Sequence, residues 1–345
     1  MDLAEAQRLW EPEPGWLNTA SYGLPPRPAW DALQAALADW RVGRTSWEGW
    51  GAASERSRAI FAELIGVSAA DVTLNATVSA LLAPVASALP SGAVVLAPEI
   101  EFTSNLFPWL AQADRGVRVR TVPAPRLADA IDAGTHLVAF SLVQSADGSV
   151  APYDEIVAAA RRHGALVVVD ASQACGWLPF DALAADAVVV AAYKWLMAPR
   201  GAAFGYLAPA LRERLIPSAA GWSAGREVSE SYYGPPLRLA DDARRFDTSP
   251  AWFSWVGAAP ALDILRRVGV AAVQRYDVGL ANRFLAGLGR PPGNSAIVSV
   301  DLPDAADRLA AANIRAAVRA GRLRASFHLY TTVDDVDRAV AALTR

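Results

Sequence analysis

A series of short apolar runs between residues 60 and 207 constrains this chain more than any other feature. The clearest are AVVLAP (93–98), VRVRTVP (117–123), HLVAFS (136–141), ALVVVD (165–170), DAVVVAA (186–192) and AAFGYL (202–207). Most are continuously apolar rather than alternating, which is how strands buried on both faces read. Helix-like stretches such as YDEIVAAARRHG, closed by Gly164, lie between several of them. Strands that alternate with helices predict a mostly parallel sheet covered on both sides. In such a sheet the functional groups gather in the loops at the carboxyl ends of the strands.

The pattern changes after residue 250. Ala-rich helices over 251–268 and 270–288 precede SAIVSVDL, a further helix, RLRASFHLY and a last helix after Thr332. A chain of 345 residues also exceeds what one hydrophobic core usually serves. The expected division is a large α/β domain over 17–250 and a smaller α+β domain built from 1–16 and 251–345.

Composition excludes several functions. The chain is 53% hydrophobic and 19% charged, a globular balance, and no apolar run is long enough for a membrane span. The opening MDLAEAQRLW lacks the basic-then-apolar layout of a signal peptide, so a cytoplasmic location is expected. A net charge of −3 with interspersed signs offers no basic stripe for nucleic acid. With the single cysteine Cys175 and three scattered histidines (His136, His163 and His328), no metal site is expected.

Chemistry concentrates at two successive strand ends. ALVVVD ends on Asp170, with Gln173 three residues later, and AVVVAA runs into Tyr193-Lys194-Trp195 and the turn-like MAPRG. The plain reading of Asp170 and Lys194 is an ion pair at the sheet rim. Their surroundings suggest more. Tyr193, Trp195, Leu196 and Met197 make an apolar setting, which lowers an amine's pKa and makes it a nucleophile toward an aldehyde. A carboxylate at the neighbouring strand end suits a pyridinium nitrogen, and a protonated ring is what makes pyridoxal phosphate (PLP) an electron sink.

The segment VVVDASQACGWLPFD…DAVVVAAYKWLMAPRGAAFGYL resembles the cofactor motif of the class V aminotransferase family of PLP enzymes. That family includes cysteine desulfurases, isopenicillin N epimerase-like enzymes, kynureninases and the C–S lyases of ergothioneine synthesis. LNTASYGLPP (17–26) is similar to the family's opening segment, EFTSNLFPW (101–109) to its ring-stacking loop, and RLRASFHLYTTVDDVDRAV to its C-terminal signature. The resemblance implies PLP-dependent transferase fold type I, a mostly parallel seven-stranded sheet with flanking helices and a smaller C-terminal α+β domain. It further implies that Lys194 forms the internal aldimine and later shuttles protons. Asp170 pairs with the ring nitrogen, Gln173 meets the phenolic oxygen and Phe102 stacks on the ring. Asn75, Ala76, Thr77 and Val78 match the phosphate loop, and free N–H groups at a helix start suit a phosphate in their own right. Tyr193 also contacts the phosphate. Thr248 or Ser249 reaches the phosphate of a second subunit, so a homodimer with shared sites is implied. Arg324 clamps the α-carboxylate of an amino-acid substrate, an arrangement suited to a planar fork. Asn18, Ser21 and Tyr22 line the substrate side.

The chain also departs from the family pattern. Cysteine desulfurases carry a mobile cysteine shortly before the carboxylate-binding arginine, whereas NIRAAVRAGRLRAS is short and has none. Cys175 reads as a buried core residue. Phe102 stands where many relatives have histidine, so it stacks but moves no proton. Leu142 stands near the position of a family asparagine, with Gln144 as a nearby substitute. Trp47 and Trp50 read as packing residues that also suit an aromatic wall, and His328 reads as structural. The expected activity is β-elimination of the C–S lyase type on an amino acid. Transamination and epimerisation are alternatives, and a PLP-binding partner protein that has lost catalysis is the reading from another class.

Overall fold

The computed structural model describes residues 1–344. Its main sheet has seven strands: β1 (Val72–Asn75), β2 (Val94–Pro98), β3 (Arg118–Val122), β4 (Leu137–Ser141), β5 (Leu166–Asp170), β6 (Ala187–Ala191) and β7 (Ala203–Leu207). They lie in the order β1-β7-β6-β5-β4-β2-β3. Strands β2 to β6 are mutually parallel where they pair, and β7 runs antiparallel to both β6 and β1. Six of the seven strands coincide with the apolar runs. The seventh, β1, is the four-residue VTLN, too short to stand out as a pattern.

Side-chain alternation explains why the central runs are apolar throughout. Val138 and Phe140, Val167 and Val169, and Val188 and Val190 enter one core, shared with Phe61, Ile156 and Leu262 from helices on that face. Leu137 and Ala139, Val168, and Ala187 and Val189 enter a second core on the other face, against Leu81, Leu82 and Trp109. The edge strand β3 reads differently because it is the least covered: Arg118 and Arg120 are exposed, and Arg120 pairs with Asp132 at 2.9 Å.

A second, antiparallel sheet orders β8 (Ile297–Val300), β10 (Arg322–Ser326) and β9 (Ala317–Arg319). The N-terminal segment joins it. Leu17 N–H donates to the Arg315 carbonyl at 2.8 Å, and Ser326 N–H donates to the Leu17 carbonyl at 2.9 Å. A third core of Leu17, Leu280, Phe284, Val298, Leu323, Phe327 and Val336 lies beneath. The helix Trp252–Val268 belongs elsewhere: Trp255 meets Phe204 of β7 edge-on, with ring centres 5.2 Å apart. No helix among the described residues is long and apolar enough to cross a membrane.

Candidate active site

Strand register gathers the chemistry on one rim. Ser141 on β4 lies opposite Asp170 on β5, and Asp170 lies opposite Val189 on β6. Beyond Ala191 the chain of β6 turns into Tyr193 and Lys194. Because β7 runs backwards, Ala203 at its start faces Ala191 on one side and Asn75 of β1 on the other. The phosphate-loop candidates therefore reach the same rim as the lysine. Thr77 caps the helix Val78–Ser87, its hydroxyl accepting from Ala80 N–H at 3.3 Å, and Asn75 Oδ1 accepts from Ala76 N–H at 2.8 Å.

The turn carrying Lys194 is held from below. Gly23 N–H donates to the Tyr193 carbonyl at 3.0 Å, and the approach is so close that a Cβ on Gly23 would collide with the Lys194 carbonyl oxygen. His328 supports the next residue. Its Nε2 lies 3.0 Å from the Trp195 carbonyl and its Nδ1 lies 2.8 Å from Asp277, with both side chains fully buried. Both ring nitrogens are engaged, which fits a structural role.

Lys194 is buried, with Nζ 5.4 Å from the centre of the Phe102 ring and 5.9 Å from that of Tyr193. Burial pulls its amine down to about 8 against the opposing pull of Asp170, and repulsion from Arg324, Arg319 and Arg200 adds to the fall. Burial pushes Asp170 upward, while the Ser172 N–H bond at 2.8 Å and the lysine charge counter it. This lysine is also the only one in the sequence, one of 32 Lys and Arg residues. That count is a signal the motif reading passed over. Every other basic position takes arginine, whose guanidinium stays protonated and cannot act as an amine nucleophile.

Sequence reasoning missed a second carboxylate. Glu101 is buried and accepts from Phe102 N–H at 3.0 Å, Ser141 N–H at 2.8 Å, the Ser141 hydroxyl and Gln144 Nε2 at 3.1 Å. It ties the loop after β2 to the end of β4 and so fixes Phe102. Burial raises its pKa, and those hydrogen bonds oppose the rise. Its place three residues past the apolar strand β2 and just before an aromatic residue was the available hint. Gln144 keeps a buried Oε1 without a partner.

Among the residues expected to meet the substrate, Arg324 is 1% exposed. It donates to the Ser145 carbonyl, to Ser145 Oγ at 3.1 Å and to Ser21 Oγ at 2.9 Å, while its Nε has no partner. Burial and neighbouring Arg319 pull its pKa down to about 10. Asn18 Oδ1 is also buried and unpartnered. Tyr22 lies 5.4 Å from Tyr193, ring to ring, and its hydroxyl accepts from Arg200 at 3.1 Å.

The remaining candidates have other neighbours. Both N–H groups of Gln173 are already engaged, with the Ala20 carbonyl at 2.9 Å and Ser145 Oγ at 3.2 Å, and its oxygen accepts from Trp195 at 2.8 Å. A contact with a ring oxygen would need the Ser145 bond to give way. Thr248 and Ser249 do not join the group around Lys194. Thr248 lies beside Leu74 of β1 in a cavity of about 310 Å3 that Trp47, Trp222 and Trp252 also line. Trp47 stacks on Trp252 at 6.3 Å and Trp50 meets Trp252 at 5.4 Å, so both pack within an aromatic cluster.

The class-V aminotransferase model matches residues 48–312. A cysteine desulfurase of Yersinia pestis is 30% identical over 74% of this chain and 72% of its own length. A probable cysteine desulfurase of Methanothermobacter thermautotrophicus is 29% identical over 67% of this chain, which spans 60% of that protein's length. The fold also superposes on the cystine C–S lyase C-DES, solved in complex with its reaction product cysteine persulfide. The TM-score is 0.85 and the identity 22%, covering 96% of this chain and 97% of the lyase. Sequence and fold agree: the chain belongs to the class V aminotransferase family, whose enzymes use pyridoxal phosphate.

Proposed function

We propose that this chain binds PLP and eliminates a group from the β-carbon of an α-amino acid, with a sulfur leaving group as the first candidate. One observation carries the reading. A buried amine (Lys194), a buried carboxylate on the adjacent strand (Asp170) and a buried guanidinium with an unpartnered Nε (Arg324) converge at one sheet rim. The residues present fit the cofactor. Asp170 would meet its ring nitrogen, Phe102, whose ring centre lies 5.4 Å from Lys194 Nζ, would pack against it, and the start of the helix Val78–Ser87 with Tyr193 would hold its phosphate. Bound there, PLP supplies an aldehyde for the amine and a protonated ring that withdraws electrons from the substrate's Cα.

The chain's own groups do the rest. Arg324, helped by Asn18 and Ser21, orients the α-carboxylate. Lys194, titrating near 8, is able both to take the proton from Cα and to return it. Phe102 has no ionisable group and moves no proton, so Lys194 is the main proton carrier, with Tyr193 or the Arg200-held Tyr22 beside it. Glu101 positions Phe102. A protein-bound persulfide is disfavoured, because burial pushes the Cys175 thiol up to about 12 and the chain between β9 and β10 is only a turn of Ala320 and Gly321. The names of the relatives, two cysteine desulfurases and a cystine C–S lyase, support a C–S bond as the one broken.

A homodimer in which Thr248 or Ser249 reaches the partner's phosphate, and a cytoplasmic location, belong to the same proposal. So does the division into 17–250 and 1–16 with 251–345. The separate core around Phe284 and Phe327 supports that division, although Trp255 ties its helix to the larger unit. Turnover of candidate amino acids with no keto acid present tests the reaction type. Elimination releases ammonia and a keto acid continuously. A single turnover that stalls until a second keto acid is added would replace this reading with transamination.

A further inference from the structure

Arg58, the other almost fully buried arginine among the described residues, meets a carboxylate, donating to Asp247 at 2.6 Å and to Glu55 at 2.9 Å. Three arginines around Lys194 do not. Arg200 donates to the Tyr22 hydroxyl at 3.1 Å and lies 4.9 Å from the centre of the Tyr193 ring. Arg319 donates to the Val318 carbonyl at 2.8 Å and to Ser21 Oγ at 3.4 Å. Arg324 donates only to Ser145 and Ser21. Every acceptor among the described residues is a neutral oxygen. Arg319 and Arg324 also converge on one atom, Ser21 Oγ, and two like charges that share a neutral acceptor repel each other.

A single α-carboxylate on Arg324 leaves Arg319 uncompensated. We infer that Arg319 forms a second anion subsite beside Arg324, and that the substrate is an α-amino acid whose side chain carries its own acidic group. The inference rests on the proposed function and names its substrate class. Arg324, buried, takes the α-carboxylate; Arg319, at the exposed end of β9, takes the side-chain acid; Ser21 Oγ aligns the two guanidinium groups. A carboxylate or a sulfonate meets the same donors equally well, because both present several charged oxygens to a planar fork.

Calorimetric titration of the holoenzyme, with no keto acid present, compares L-aspartate and L-glutamate with their neutral isosteres L-asparagine and L-glutamine, and adds L-cysteate as the sulfonate. The acidic members should bind about fivefold more tightly at low salt, the size of a partly exposed ion pair. Rising salt should shrink the preference. Arg319→Gln should abolish it while moving the neutral isosteres by less than about twofold, and Arg319→Lys should retain part of it. Preference for the dicarboxylates alone, or for cysteate alone, supports the subsite and identifies its acid. Equal binding of acidic and neutral members overturns the inference and leaves the proposed function standing. Equal weakening of both sets by Arg319→Gln also overturns it, because Arg319 then shares the α-carboxylate. Failure of every amino acid to bind overturns both.

Discussion

Arg58 and Arg324 are both almost fully buried, at 3% and 1% exposure, yet they are satisfied in opposite ways. Arg58 binds Asp247 at 2.6 Å, Glu55 at 2.9 Å and the Val72 carbonyl at 2.6 Å, while Asp247 also accepts from Leu74 N–H and the Thr73 hydroxyl. That region closes on itself, clamping the edge strand β1 to the segment around residue 247. Arg324 finds only neutral oxygens, keeps a free Nε and shares its surroundings with an amine of lowered pKa. Burying an unpaired charge is costly, so a fold that keeps one has room for a ligand of opposite charge. The first cluster is structure, and the second is where the proposed function places the substrate's carboxylate.

The comparison breaks if substitutions fail to separate stability from turnover. Removing Asp247 leaves Arg58 buried without its partner, and breaking such a pair costs roughly 3–5 kcal/mol. Asp247→Ala should therefore lower the denaturant midpoint sharply. An unchanged midpoint would show that the Arg58 cluster is not a clamp. At the other cluster, Asp170→Asn should leave the denaturant midpoint nearly unchanged and lower turnover by about 10²–10³-fold, the usual loss for an active-site electrostatic partner. Near-normal steady-state rates would mean that Asp170 is not the ring partner.

A smaller effect sharpens the contrast. Lys194 titrates near 8 in the folded chain against 10.5 for an ordinary lysine. Between those values the unfolded chain holds a proton that the folded chain does not, so stability of the cofactor-free protein rises with pH across that window. Below about pH 8 the folded chain bears the cost of a buried charge. Lys194→Met should flatten this part of the stability profile, as read from denaturant midpoints between pH 8 and pH 10. A slope that persists in the variant would assign it to another group.

Much of this was legible in the sequence where one local rule sufficed. Continuous Val runs announced β5 and β6 because both their faces are buried, and Asp170 and Lys194 followed from strand ends. The four-residue strand β1 carries too little pattern, and β9 is shorter still. What escaped were contacts between distant segments. Ser21 meets Arg324 across 303 residues, Glu101 meets Gln144 across 43, and Asp247 meets Arg58 across 189. No spacing rule reports such pairs. The solitary lysine was readable all along, and it strengthens the assignment because arginine occupies every other basic position.

That lysine also makes the central claim directly testable. Borohydride reduction of the holoenzyme, followed by peptide mapping, should fix PLP covalently to the one peptide that contains Lys194. Cofactor that washes away after reduction, or an adduct found on the terminal amine of Met1 instead, would contradict the account.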